Sequence, residues 1–240
     1  MIKIEAVSKR FQIGKDSYIQ ALSNISFEFD NGEIVGLIGL NGAGKTTLIK
    51  VLAGLYMPDS GNLCEEPHKS EKPLLRSLLS AGQGLYKSLT VERLIKYFGK
   101  LQNQDFDFYS TEVKELINFL DLNSFLNKKI ETLSAGWKQK ILVLLTFLND
   151  PELILLDEPS SFLDFLGQKQ LDELIELHKS KGKYIVYATH NLHDIEKKCD
   201  KIALIDKGVL LFFDTKENLL KKYEVQSLED VVYKCLFSLI

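Results

Sequence analysis

The stretch from residue 39 to residue 47 reads GLNGAGKTT and lies between two apolar runs, EIVGLI and LIKVLAGL. Glycine reaches backbone conformations that a side chain forbids, so Gly39, Gly42 and Gly44 allow the chain to curl closely around an anion. Successive N–H groups then point into one concavity at the positive end of a helix. The order G-x-x-x-x-G-K-[ST] assigns the rest: Lys45 reaches the β- and γ-phosphates of a nucleotide, and the Thr46 hydroxyl ligates Mg²⁺. The expected phosphate-binding set is Gly39, Asn41, Gly42, Ala43, Gly44, Lys45, Thr46 and Thr47. A surface turn leading into a helix with a lysine in its first turn explains part of this pattern. It does not explain the whole spacing together with the strand and helix signals on either side.

Two further stretches carry groups of the same chemistry. In LILLDEPSSFLD, at 153 to 164, an apolar run ends in Asp157, which sets a carboxylate at the tip of a buried strand where it can hold the metal through water. Glu158 follows as the candidate general base for an attacking water. The plainer alternative is that both carboxylates cap a helix starting after Pro159. In TLSAGWKQK, at 132 to 140, Ser134 reads as the N-cap of a helix continuing through ILVLLTFL, and the free N–H groups behind it make a second anion site.

These groups need elements to position them. IKIEAVS and LSNISFEFD suit half-exposed antiparallel strands, with a turn at Asn31-Gly32 after them. EIVGLIG reads as a buried strand, and KTTLIKVLAGL as a helix ended by Gly54, Pro58 and Gly61. Residues 86 to 150 are mostly helical in pattern, whereas PELILLDEP and GKYIVYATH return as short buried strands. KIALIDKGVLLFFD is a hairpin turning at Lys207-Gly208, and the end of the chain reads as one or two amphipathic helices. The reconstruction is α/β: a mainly parallel sheet with flanking helices, an antiparallel sheet at one edge, and a helical subdomain inserted between two central strands.

Composition narrows the function classes. The 240 residues are 45% hydrophobic and 26% charged, enough for a sizeable core. A net charge of -3 gives no global pull toward nucleic acid, and no apolar run approaches the roughly 20 residues of a spanning helix. The expectation is no nucleic-acid partner and no direct membrane insertion. The N-terminus lacks a secretory core, and Cys64, Cys199 and Cys235 make a poor disulfide framework, which points to a reducing, cytosolic compartment.

The motifs together resemble ABC ATPases, whose signature LSGGQ stands here as Leu133, Ser134, Ala135, Gly136 and Trp137, and the resemblance runs over nearly the whole chain. It implies the P-loop NTPase fold with an N-terminal antiparallel β subdomain. The ATPase domain would span 1–225, with a helical subdomain at about 86–150 and a short helical tail at 226–240. It also implies that Ser134 and Gly136 face the γ-phosphate held by an opposite subunit, so that two copies, in a homodimer or a heterodimer, sandwich two ATP molecules with Mg²⁺. Ser161 and Asp164 match the D-loop at the dimer contact. His190, closing YATH, matches the switch histidine between γ-phosphate and attacking water, and Phe11 in SKRF matches the aromatic that stacks on adenine, with Tyr18 its competitor. A metal site from His190, His193 and Cys199 lacks a coherent ligand set.

Some positions depart from the family pattern. Its metal-contacting glutamine lies four residues before the position of Leu85; here that residue is Ala81, and Gln83 is the candidate substitute as a metal ligand. Leu40 stands where proline is common, Trp137 where glutamine or methionine is usual, and Phe162 where alanine is frequent. The implied activity is ATP hydrolysis driving transport through separate transmembrane permease subunits, from the cytoplasmic face of the cell membrane. GQGLYKSLT with SAGWKQK is similar to exporter subunits. A soluble ATPase of iron–sulfur cluster assembly is the alternative. A DNA-maintenance ATPase would need a long coiled coil, and a regulatory GTPase an Asn-Lys-x-Asp element that NKKI at 127 to 130 does not supply.

Overall fold

The computed structural model of the chain describes residues 1–15, 17–65, 75–80 and 85–237. β1 (Ile2–Gln12) and β2 (Tyr18–Phe29) pair antiparallel, and β4 (Ser60–Glu65) adds to the other edge of β1, giving a three-stranded sheet ordered β2-β1-β4. Ile2 and Ile4 face the core opposite Phe29 and Phe27. A strict alternation would then turn Val7 outward. Ala6 instead adopts a left-handed φ of 50°, the register slips, and Val7 is fully buried opposite Ile25.

The second sheet has six strands in the order β5-β6-β7-β3-β8-β9. β3 (Ile34–Ile38), β5 (Arg76–Ser80), β6 (Leu153–Asp157), β7 (Tyr184–Ala188) and β8 (Lys201–Asp206) run parallel, and β9 (Val209–Thr215) closes the edge antiparallel to β8. The central strands are apolar without alternation because both faces are covered. Ile154 and Leu156 of β6 enter one core and Leu153 and Leu155 the other, and β3 divides its residues in the same way. Leu155→Ala should remove roughly 2–5 kcal/mol of stability, read as a lower urea midpoint, because the fully buried site has little room to collapse.

The three-stranded sheet and α1 (Lys45–Leu52) cover one face of the large sheet. The other face packs against α2 (Val91–Gln102), α3 (Thr111–Phe119), α4 (Ala135–Phe147), α5 (Phe165–Ser180) and α6 (Leu192–Lys198). In α4 every residue from Gln139 to Phe147 is buried, as a helix apolar all round requires. After β9 come α7 (Lys216–Tyr223) and α8 (Leu228–Phe237), and α8 sends Leu228 and Val231 into the same core. α8 is therefore packed against the body.

Three placements differ from the sequence reading. The helical segment enters between β5 and β6, and β5 is the edge strand, so the insertion is not between two central strands. The antiparallel strands form a sheet of their own, over the face of the large one. β4 and β5 were not foreseen: SGNLCE and RSLLS are edge segments, half exposed and rich in polar residues, and neither gives a clean period.

Candidate active site

β3 ends in the glycine-rich loop, which leads directly into α1. Gly39, Gly42 and Gly44 have φ of 152°, 80° and 112°, conformations open to glycine at little cost. A Cβ on Gly39 would collide with the Ile205 carbonyl, and one on Gly44 would lie 2.6 Å from the Ala21 carbonyl, whereas one on Gly42 would meet nothing within 4 Å. The loop is thus pressed from behind by β8 and β2 and open in front. α1 has no side-chain cap and no acidic residue in its first turn, so its leading N–H groups are left for an anion.

Lys45 is 7% exposed, and its Nζ donates to the carbonyls of Gly39 at 2.6 Å and Leu40 at 3.3 Å. Burial lowers its pKa, and the nearby carboxylates of Glu158 and Asp157 oppose that shift. Thr46 Oγ1 donates to Asp157 Oδ2 at 2.8 Å. Burial raises the Asp157 pKa, the Thr46 bond works against this, and Glu158 adds to it.

Glu158 holds a left-handed φ of 51°, costly for a residue with a Cβ, while its N–H donates to the Ala188 carbonyl at 2.9 Å. The twist aims its carboxylate along the end of β7. Oε2 accepts from Thr189 Oγ1 at 3.1 Å, and Oε1 accepts from the His190 N–H at 3.1 Å and lies 2.8 Å from His190 Nδ1. The histidine ring is 71% exposed. Neither Asp157 nor Glu158 caps a helix: α5 starts at Phe165, and Asp164 caps it, with Oδ1 accepting from the Gly167 N–H at 2.7 Å. Asp164, expected at a dimer contact, thus has a structural task within the chain.

Ser134 caps α4, its Oγ accepting from the Trp137 N–H at 3.4 Å, and it is exposed. The Trp137 ring turns into the helical subdomain and lies 4.0 Å from the Phe125 ring, centroid to centroid. A tryptophan there therefore packs within the insert and leaves the capped N-terminus intact. Gly136 is needed for proximity: a Cβ would stand 3.0 Å from the Phe162 carbonyl. Gln139, 2% exposed, donates to the Pro159 carbonyl at 2.9 Å. Gly136 and Gln139 thus hold the first turns of α4 against residues 159–162.

Phe11 is half-buried on β1 with its ring edge-on to Tyr56 at 5.3 Å, and Tyr18 is 53% exposed beneath Arg10. Gln83 and Ala81 lie outside the described residues. His193 is exposed, while Cys199 is half-buried with its side chain against Gly36 of β3, its thiol pKa raised by burial.

Sequence reasoning missed several supporting residues. Thr189, 1% exposed, holds the second oxygen of Glu158; its position next to the histidine at a strand end was the available signal. Lys198 Nζ lies 2.8 Å from Asp172 and 3.1 Å from Asp194, and it donates to the Tyr187 hydroxyl at 3.4 Å. Burial works against its charge, but these partners offset that and raise its pKa; burial pushes the Tyr187 hydroxyl up to about 12. The Ser160 hydroxyl, 3.5 Å from Asp194 Oδ2, ties the segment after Glu158 to this network.

The sequence pattern of the family described as ABC transporter matches residues 22–161, from β2 through the phosphate loop, the capped α4 and the Asp157-Glu158 pair. The chain belongs to the ABC transporter family. This ABC transporter chain is 28% identical to the ABC transporter ATP-binding protein NatA of Bacillus subtilis, over all of its own length and 98% of NatA. A solved ATP-binding subunit of an ABC transporter superposes on it with a TM-score of 0.87 at 26% identity, covering 98% of this chain and 99% of that one. The ATP-binding cassette MJ0796, solved as a dimer bound to ADP and Pi, has a TM-score of 0.78 at 22% identity over 90% of this chain and 98% of its own. The fold is that of the ABC ATPases, and the chain is an ATPase that takes ATP with Mg²⁺. The donor set suits that ion, since a hydroxyl and a carboxylate 2.8 Å apart are hard oxygen ligands, and Mg²⁺ takes its remaining ligands from phosphates and water. Among the described residues, no helix of the ABC transporter chain is long and apolar enough to cross a membrane.

Proposed function

We propose that this chain powers an exporter: two cassettes close over two ATP molecules, and closure drives separate permease subunits from the cytoplasmic face of the cell membrane. The observation that carries the hydrolytic half is Glu158, gripped by Thr189 and His190 next to the Thr46–Asp157 pair. In this reading Gly39 and residues 41 to 47 cradle the phosphates, and Lys45 pairs with the β- and γ-phosphates. Thr46, Asp157 and Gln83 hold Mg²⁺, which draws charge off the phosphates when bound. Glu158 accepts a proton from the attacking water, and His190, on the same carboxylate, orients that water against the γ-phosphate. Phe11 lies under the adenine.

The dimer is supported by what α4 offers outward. Ser134 is exposed at a helix N-terminus whose N–H groups can meet a partner's γ-phosphate, and Gly136 lets the D-loop backbone approach it. Beside it Phe162, Phe165 and Leu166 are 68%, 85% and 52% exposed, an apolar group that a neighbouring cassette would cover. The mated cassette is a second copy or a related subunit. Contact with the permease is assigned to the insert at 86–150, where exposed Tyr86 and Tyr97 meet edge to face at 5.3 Å. Residues 1–225 form the ATPase domain in this reading, and 226–240 its helical tail. Export rests on the likeness of GQGLYKSLT and SAGWKQK to exporter subunits.

The test is Ser134→Arg. A guanidinium at the exposed cap should block ATP-dependent dimerisation in size-exclusion chromatography while ATP binding by the monomer persists in calorimetry. A dimer that still forms with ATP would sink the sandwich.

A further inference from the structure

The loop between α2 and α3, α3 itself, the end of α4 and the C-terminal half of α5 line an open cavity of about 710 Å³. That volume suits a whole small organic molecule. Its lining shares no residue with the phosphate loop, the β6 tip, the α4 N-terminus or His190. The walls are apolar and aromatic, built largely from Phe106, Val113, Leu116, Phe119, Phe147 and Leu174.

The polar part of the lining is dominated by acceptors. Asp105, Asp107, Glu112, Glu115 and Glu173 stand around it; Asp107 Oδ1 accepts from the Tyr109 N–H at 2.9 Å and Glu173 lies 3.9 Å from Lys169, while Lys181, on the same lining, is bridged to Asp150 at 3.1 Å. His178 also lines the cavity and is 4% exposed. Its Nδ1 lies 2.8 Å from the Leu174 carbonyl, which can only accept, so the proton sits on Nδ1. Burial lowers the pKa of the ring, with Lys181 and Lys183 acting in the same direction and the Leu174 carbonyl and Asp150 opposing, and Nε2 lies 3.5 Å from Asp150 Oδ1. A carboxylate rim over low-dielectric walls concentrates cations, and aromatic faces attract them.

We propose that this cavity binds a protonated amine with an aromatic body, the rings seated among the phenylalanines and the ammonium held by the acidic rim. Charge complementarity selects this class: an aromatic carboxylate would meet the same rim with like charge. The site stands apart from the nucleotide, so it does not depend on the sandwich dimer.

Diphenylmethylamine, cationic at neutral pH, and diphenylmethanol, its neutral near-isostere, separate charge from shape. In a ligand-observed NMR titration of the full chain, the amine should bind at least tenfold more tightly than the alcohol. The exposed double variant Glu112→Gln/Glu115→Gln should erase most of that difference, and Leu174→Trp, which fills the cavity, should abolish binding of both. ATP binding and circular dichroism report whether each variant is folded; the surface pair serves as the test should Leu174→Trp fail to fold. No binding of the amine, equal binding of amine and alcohol, or an amine affinity unchanged in the double variant would overturn the proposal.

Discussion

Glu158→Gln should lower steady-state ATP hydrolysis by roughly 10²–10⁴-fold, the range set by removing a positioned general base. Nucleotide affinity should be retained. The amide keeps the shape of the carboxylate, and its oxygen can still accept from His190, while the Thr189 hydroxyl can turn to accept from the new NH₂. What the amide cannot do is take a proton from water. ATP should therefore persist, and with it the dimer, which would emerge from a sizing column as a stable species with bound ATP and Mg²⁺. Turnover equal to that of the wild type would remove Glu158 from the role of base.

Lys45→Ala should raise the dissociation constant for MgATP by roughly tenfold to a hundredfold, since hydrogen bonds to a charged group contribute about 1.5–3 kcal/mol. The ammonium is buried near Asp157 and Glu158, so its loss also leaves two carboxylates facing the incoming phosphates. The fold should survive, because α1 is anchored by Leu48, Ile49, Val51 and Leu52, and alanine is a good helix former. Calorimetry with ATP and Mg²⁺ reads the loss, and circular dichroism should show no change. Unaltered affinity would contradict the cradle.

What could be read in advance follows from how far apart in sequence the cooperating groups lie. The phosphate loop is local: Gly39 and Lys45 are six residues apart and share one turn of chain, so their spacing carries the chemistry. The Asp157-Glu158 pair was readable because a purely apolar strand has to end somewhere and a carboxylate at its tip stands out. The joining of Glu158 to His190 across 32 positions came from the resemblance and not from spacing. The bonds from Gln139 to Pro159 and from Lys198 to Asp172 had no signal of their own, because a glutamine or a lysine on a helix usually faces solvent. Edge strands β4 and β5 failed for another reason: the inward positions of β5 are Ser77 and Leu79, so a polar residue interrupts the apolar alternation, and β4 has no fully buried residue to mark a face. The left-handed turn at Ala6, without a glycine to mark it, left no trace in the pattern.

Gln139 and Gly136 make the start of α4 and the segment 159–162 a single gear tooth. Sliding one past the other would strand a buried amide without its acceptor, a penalty of about 1–3 kcal/mol. Rotating both as one piece incurs no such penalty, so any tilt that swings the α4 cap sweeps the exposed Phe162 through the same arc.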